Sequence, residues 1–231
     1  MRPPRLAMFT AALATCSALS ACGHVDYNNA PRGEFSGNLF VMWVGEGGAS
    51  GDGKFLFVPD PGNPLSFTLP GDDGKPLRIQ PQMMYTDGGS IPKIGQVFNG
   101  FGPWGYARAY MIHDWLYVAR HCNLDGMPTG PEAGMAAISF QQSADILASA
   151  IRALVTSGRV KENDVAGRTI SGAVAGPIAR ELWDKRGACP QPRVAEMDRL
   201  AAEAAIPGSS QRRAARRAGV PVAMVVGQFG F

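Results

Sequence analysis

Stretches that read as strands fill the first half of this chain, and stretches that read as helices fill the second. That order is the strongest constraint on its fold. Consecutive strands without helices between them pair antiparallel, because parallel pairing needs long crossover connections. The expectation is an α+β fold, with a small antiparallel sheet from the N-terminal half packed by two or three helices from the C-terminal half. The strand candidates are residues 38–44 (Leu39-Phe40-Val41-Met42-Trp43-Val44), 54–58, 65–69, 77–80 and 83–85. Proline and glycine mark turns at 59–64 and 71–76. The glycine-rich stretch 45–53 lacks the Gly-Lys-Ser/Thr ending of a phosphate cradle and reads as a hairpin loop. No internal repeat is visible.

Helical periodicity appears over 104–120, 131–156 and 164–185, with a kink expected at Pro177. Residues 189–231 read as a separate basic tail with a short helix over 197–205. Its Arg212-Arg213 and Arg216-Arg217 pairs suit anionic lipid headgroups or plain solvation. Its apolar ending, 220–231, either covers a sheet edge or stays without fixed structure. The whole chain carries a net charge of +3, too little to argue for a nucleic-acid partner.

Residues 1–21 read as an export signal. Arg2 and Arg5 are followed by a short alanine-rich apolar run and then Leu19-Ser20-Ala21-Cys22. That ending resembles the bacterial lipobox, which implies cleavage before Cys22 and acylation of its thiol. The expected result is a bacterial envelope lipoprotein, anchored in the membrane through that acylated cysteine. Gly23 after the cysteine implies the outer membrane, facing the periplasm. Losing the signal removes two arginines and no acid, which takes the charge from +3 to +1. Residues 22–36 are polar and read as a tether to an α+β domain over 37–188.

With Cys16 in the signal and Cys22 acylated, Cys122 and Cys189 remain. Two thiols in an oxidising compartment can pair, and that bridge would tie the end of a central helix to the end of the domain. His121-Cys122 is also half of a zinc-ligand set, but no second close pair completes it. A disulfide is therefore the expectation.

The chemistry-bearing stretch is 110–117, Tyr-Met-Ile-His-Asp-Trp-Leu-Tyr. On a helix Tyr110, His113 and Tyr117 share one face, and Asp114 lies about 100° round from His113. A charge placed in apolar surroundings is costly unless it is paired or ligates a metal. The dyad is either a general base with a carboxylate beside it or a satisfied core histidine. Asp145 raises the same question inside the apolar stripe of the 131–156 helix, where it is a partner for His113 or a rim residue.

Three pieces in order, Thr86-Asp87-Gly88-Gly89-Ser90-Ile91-Pro92, Ile112-His113-Asp114-Trp115-Leu116-Tyr117 and Ala144-Asp145, resemble the motifs of the domain-of-unknown-function 1353 family of bacteria and their phages. The resemblance covers the central third of the chain and implies no established reaction. The His-Asp helix also distantly resembles that of secreted calcium-dependent phospholipases A2. That resemblance implies His113 as the base that deprotonates water. It implies Asp114 as a Ca²⁺ ligand together with carbonyls of residues 87–90; Asp87 has no clear counterpart in that enzyme and is a candidate third acidic ligand. Asp145 would orient the imidazole, and Tyr117 would bond to that carboxylate. The cysteines that staple the phospholipase helices are absent, since Ile112 and Leu116 stand where sulfur is expected.

Two expectations follow. One is a metal-assisted hydrolase of lipid or other esters. The other is a non-catalytic lipoprotein whose His and Asp residues form a buried packing network, or one that binds a cell-wall or phage partner through Phe98, Phe101 and Trp104.

Overall fold

A computed structural model describes residues 24–46, 53–71, 74–86, 105–161 and 164–231. The fold is α+β, with two small antiparallel sheets and, among the described residues, seven helices. One sheet has the order β1(Glu34–Ser36)-β4(Ser66–Pro70)-β5(Pro76–Ile79). The other has the order β6(Met84–Thr86)-β3(Lys54–Pro59)-β2(Asn38–Gly45)-β7(Met224–Gly230). The five strands expected from the sequence all form, within two residues of their expected ends, but they divide between two sheets instead of making one. Gly37 is the joint between them. Its φ of 84° and a Cβ position only 2.2 Å from the Pro64 carbonyl oxygen admit no side chain there.

The central helix α1(Ala107–Leu124) is apolar on nearly every side and buries Met111, Ile112, Trp115, Leu116 and Val118. A helix with that pattern belongs in the interior and not on the surface. It packs with α3(Phe140–Thr156) under one face of the sheets, against Leu39, Val41, Phe57, Phe67 and Ile79. The helix expected over 131–156 is two, α2(Gly130–Ala133) and α3. Ser139 restarts it as an N-cap: its Oγ accepts from Gln142 N at 3.2 Å, and Gln142 Oε1 accepts from Ser139 N at 2.9 Å. Likewise 164–185 divides into α4(Asp164–Val174) and α5(Pro177–Trp183), where Gly176 caps and Pro177 takes the first helical position.

Two expectations need correction. Residues 189–231 are not a separate tail. Strand β7 pairs with β2 from Asn38↔Gly230 to Trp43↔Met224, and α6(Glu196–Ala205) covers the second face of the sheet. There Ala202, Ala205 and Ile206 meet Phe40, Met42, Leu56 and Val58. The short basic helix α7(Gln211–Arg217) packs on α6 through Ala215. Nor do the described residues of the tether hang loose. Gln141 Nε2 donates to the His24 carbonyl at 2.9 Å and Arg152 Nη1 to that of Ala30 at 2.5 Å, which lays the segment along α3 until it enters β1. Residues 1–23, including the expected signal and Cys22, lie outside the described residues. No described helix is long and apolar enough to cross a membrane.

Candidate functional site

Helix α1 carries a stripe of rings one above the other, Tyr106 at its N-cap, then Tyr110, His113, Tyr117 and His121. Spacings of three and four residues place all five on one face. Ring centroids are 6.2 Å apart for Tyr106 and Tyr110, 5.0 Å for His113 and Tyr117, and 6.1 Å for Tyr117 and His121.

The stripe divides into two halves with different chemistry. The C-terminal half is hydrogen-bonded to α5 and its end. Tyr117 Oη donates to the Ala179 carbonyl at 3.1 Å, and His121 Nε2 lies 2.7 Å from that of Leu182. The Tyr117 ring also meets Trp183 edge-on at 5.0 Å. The N-terminal half is buried, and among the described residues Tyr106 Oη, Tyr110 Oη and His113 Nε2 have no hydrogen-bond partner. Unpaired buried polar atoms are rare because each forfeits its hydration. Three on one face of one helix call for an explanation.

His113 itself is 7 % exposed. Its Nδ1 stands 3.7 Å from Asp114 Oδ1, an electrostatic neighbour at a distance longer than a hydrogen bond. Asp114 keeps about a third of its side chain exposed. Burial, with Tyr106 and Asp114 adding to it, pushes the Tyr110 phenol well above its ordinary value, so it keeps its proton at neutral pH. Burial does the same to Tyr117, with Asp114 and Asp184 contributing.

Asp145 does not join this group. Its carboxylate accepts from Gln141 Nε2 at 3.1 Å, on the side of α3 that faces the N-terminal segment. Burial raises its pKa, and the bond from Gln141 opposes that. So the pairing of Tyr117 with Asp145 that the phospholipase resemblance implies is replaced by the bond to Ala179. The orienting role at His113 is not filled by Asp145 either. The cause is helical phase: Ala144, Ile146 and Leu147 take the core, which turns Asp145 to the rim. Asp87, with residues 88–90, lies outside the described residues, as do Phe98, Phe101 and Trp104.

Among the described residues no group of three or more His, Cys, Asp or Glu converges on a metal position. Asp114 offers a hard oxygen donor suited to Ca²⁺, which takes six to eight oxygens. The further donors that the resemblance implies belong to 87–90.

The end of α1 is fixed as expected, by a disulfide between Cys122 and Cys189. Around it Asp125 accepts from the N–H groups of Gly187 at 2.8 Å and Cys189 at 3.1 Å, bonds that hold its carboxyl below the ordinary aspartate value. The buried carboxylate of Glu132 accepts from Arg193 Nη2 at 3.0 Å and from Thr129 N at 2.5 Å. Neither Glu132 nor Tyr106 stands out in the sequence. Thr129-Gly-Pro-Glu132 has capping-box spacing and is the one signal that was there to read for Glu132. Tyr106, four residues before Tyr110, could have been found by extending the helical stripe backwards. No family model, curated protein or solved structure matches this chain.

Proposed function

We propose that the protein is a lipid-anchored envelope hydrolase of lipid or other esters, with His113 as its general base. The observation that carries the reading is the line of three unpartnered buried polar atoms, Tyr106 Oη, Tyr110 Oη and His113 Nε2, beside Asp114. A packing network would be expected to satisfy its own members, whereas a site leaves donors and acceptors for a ligand.

In this reading neutral His113 takes a proton at Nε2 from the attacking water. Asp114, next to Nδ1, stabilises the imidazolium that results. The protonated Tyr110 hydroxyl donates to the oxygen on which charge develops. A calcium ion on Asp114 belongs to the proposal; when bound, it would polarise the ester carbonyl. Tyr117 positions the imidazole by ring packing and fastens α1 to α5. Because Nε2 is covered, turnover requires an opening that admits water and substrate.

The envelope location rests on the Leu19-Ser20-Ala21-Cys22 ending and on the compartment in which a disulfide such as Cys122–Cys189 persists. The ordered motifs resemble those of the domain-of-unknown-function 1353 family, and that resemblance alone supports setting the core of the chain beside that family, since no family model matches it.

The test is hydrolysis of phospholipid and short-chain acyl esters by the intact protein and by His113→Ala, each with a thermal melt. The expected result is loss of turnover with a melt close to that of the parent. Absence of turnover in the parent, together with a melt lowered by many degrees in His113→Ala, would overturn the reading. It would favour the second one, a non-catalytic packing role, for which the covered Nε2 and the turned-away Asp145 speak.

A further inference from the structure

Arg108 is 5 % exposed, yet among the described residues no acid offsets its charge. Its Nε is buried without a hydrogen-bond partner there. Two aromatic rings cover the guanidinium, whose Cζ stands 5.3 Å from the centroid of Phe229 and 4.8 Å from that of Phe231. Burial, with Arg159 adding to it, pulls the pKa down to about 10. At neutral pH the group is still charged, and a buried cation is costly without an anion beside it. Arg159 brings a second charge to the same ring. Its Cζ lies 5.1 Å from the Phe231 centroid, and its Nη1 donates to the Gly230 carbonyl at 2.8 Å.

Phe231 also lines a cavity of about 380 Å³, set between residues 32–35, the last turn of α3 and Phe231 itself. Phe35 stacks on Phe231 with ring centroids 5.0 Å apart, and the two rings with Ala153 give the cavity an apolar wall. Arg32 and Arg152 line the same cavity. Arg32 is exposed, and Arg152 spends one donor on the Ala30 carbonyl. These arginines do not serve the negative end of α3. Its carbonyls at Ala153, Leu154 and Val155 already accept from the N–H groups of Ser157, Arg159 and Gly158. The cavity lining and the two cations on the Phe231 ring thus bring together four arginines and one acid, Glu34.

We infer that this cavity binds a phosphate monoester with a small aromatic or apolar body, its phosphate on Arg32 and Arg152 and its body against Phe35 and Phe231. The volume suits such a ligand, since small-molecule sites begin at about 300 Å³ and set a few polar groups in apolar walls. Charge selects phosphate over carboxylate. The cluster has an excess of positive charge that one carboxylate would offset only in part, whereas a phosphate monoester carries about −1.5 to −2 at neutral pH. The guanidinium fork also matches two phosphate oxygens at once. Arg108 and Arg159 act on the ligand through their field, from the Phe231 ring, and the bound anion supplies the countercharge that Arg108 lacks. The inference does not depend on the role of His113, which lies on another face of α1.

The experiment is calorimetric titration of the intact protein with phenyl phosphate, inorganic phosphate and phenol. Expected is saturable binding of phenyl phosphate, weaker binding of inorganic phosphate and none of phenol. Arg32→Gln should weaken phenyl phosphate roughly ten-fold with an unchanged melt, because Arg32 is exposed. Arg152→Gln should weaken it at least as much, and Arg213→Gln on α7 should leave it as it was. Vesicles with and without phosphatidic acid separate two sources of the phosphate. Binding to phosphatidic acid that phenyl phosphate displaces would assign the site to a lipid headgroup, and binding of phenyl phosphate without any vesicle binding would assign it to a soluble ester. No heat with phenyl phosphate would overturn the inference. So would equal affinity in the parent and Arg32→Gln, or an equal loss in Arg32→Gln and Arg213→Gln, which would reduce the binding to general surface charge.

Discussion

Tyr85 Oη donates to Asp198 Oδ2 at 2.6 Å, across 113 residues of sequence, and Lys54 Nζ donates to the same oxygen at 2.8 Å. Tyr85 also accepts from Ala195 N at 3.0 Å, and its own N–H donates to the Pro192 carbonyl at 3.1 Å. One tyrosine on the edge strand β6 therefore fastens the chain on both sides of the turn into α6. Asp198→Ala should lower stability by about 2–3 kcal/mol, since it leaves a tyrosine hydroxyl and a lysine without their shared acceptor. Urea unfolding of parent and variant measures this, and an unchanged midpoint would show that α6 is held by its apolar face alone.

The same cluster sets a pH dependence. Burial alone would raise the Asp198 carboxyl, but the bonds from Lys54 and Tyr85 outweigh it and hold it below the ordinary 3.8. A carboxylate depressed on folding adds stability that is fully present above 3.8 and is lost as pH falls through its lowered folded value. Lys54, raised chiefly by its bond to Asp198, contributes below its ordinary 10.5 and loses that contribution as pH rises through the folded value. The stability gap between parent and Asp198→Asn should thus be flat from about pH 5 to 9 and close in stronger acid. Unfolding in urea at a series of pH values checks it; a gap that widens in acid has the wrong sign.

The strands were legible because apolar runs stand between proline and glycine turns. A further signal lay in the same runs. Leu39-Phe40-Val41-Met42 and Leu56-Phe57-Val58 are buried on both faces, as unbroken apolar runs imply, whereas a sheet with one solvated face alternates. The first face belongs to α1 and α3. The second needed a cover, and residues 196–206 supply it. Strand β7 was harder to see, because Val-Val-Gly-Gln-Phe is a weak strand signal and its partner β2 lies at the far end of the chain. At the site, the shared face of Tyr110, His113 and Tyr117 followed from helical spacing. The position of Asp145 did not, since the phase of one helix against another is fixed by core packing and no local pattern reports it.

Glu132 is 2 % exposed and relies on Arg193 for charge compensation. Arg193 also donates to the Met127 carbonyl at 2.7 Å, so it closes the loop after α1. Arg193→Ala leaves a buried carboxylate with one remaining N–H donor and should cost roughly 3 kcal/mol. Glu132→Gln should cost less, because the amide keeps an acceptor for Thr129 N and carries no charge. Chemical denaturation of the two variants side by side tests the order.

The Cys122–Cys189 bridge spans a separation of 67 residues. Loop-closure entropy in the unfolded chain assigns such a crosslink roughly 4 kcal/mol. Cys189→Ser, or reduction of the parent, should lower the unfolding free energy by about that much. The Asp125 carboxylate, which takes two backbone N–H bonds at the same place, moderates the loss. Equal stability of oxidised and reduced protein would mean that these bonds alone hold the segment.

Asp114 decides whether the proposed chemistry includes calcium. It stands one residue from the base, a third exposed, and is the hard oxygen donor that the described part of the site offers. Calorimetric titration of the intact protein with Ca²⁺ should show binding that Asp114→Asn abolishes and His113→Ala preserves, because the imidazole is not among the oxygen ligands calcium prefers. Loss of binding in both variants would instead point to a general disturbance of α1, which the melts of the two proteins would reveal. No heat in the parent would take the ion out of the proposal. His113, Tyr110 and Asp114 would then have to activate water without it, and the expected turnover would be correspondingly slow.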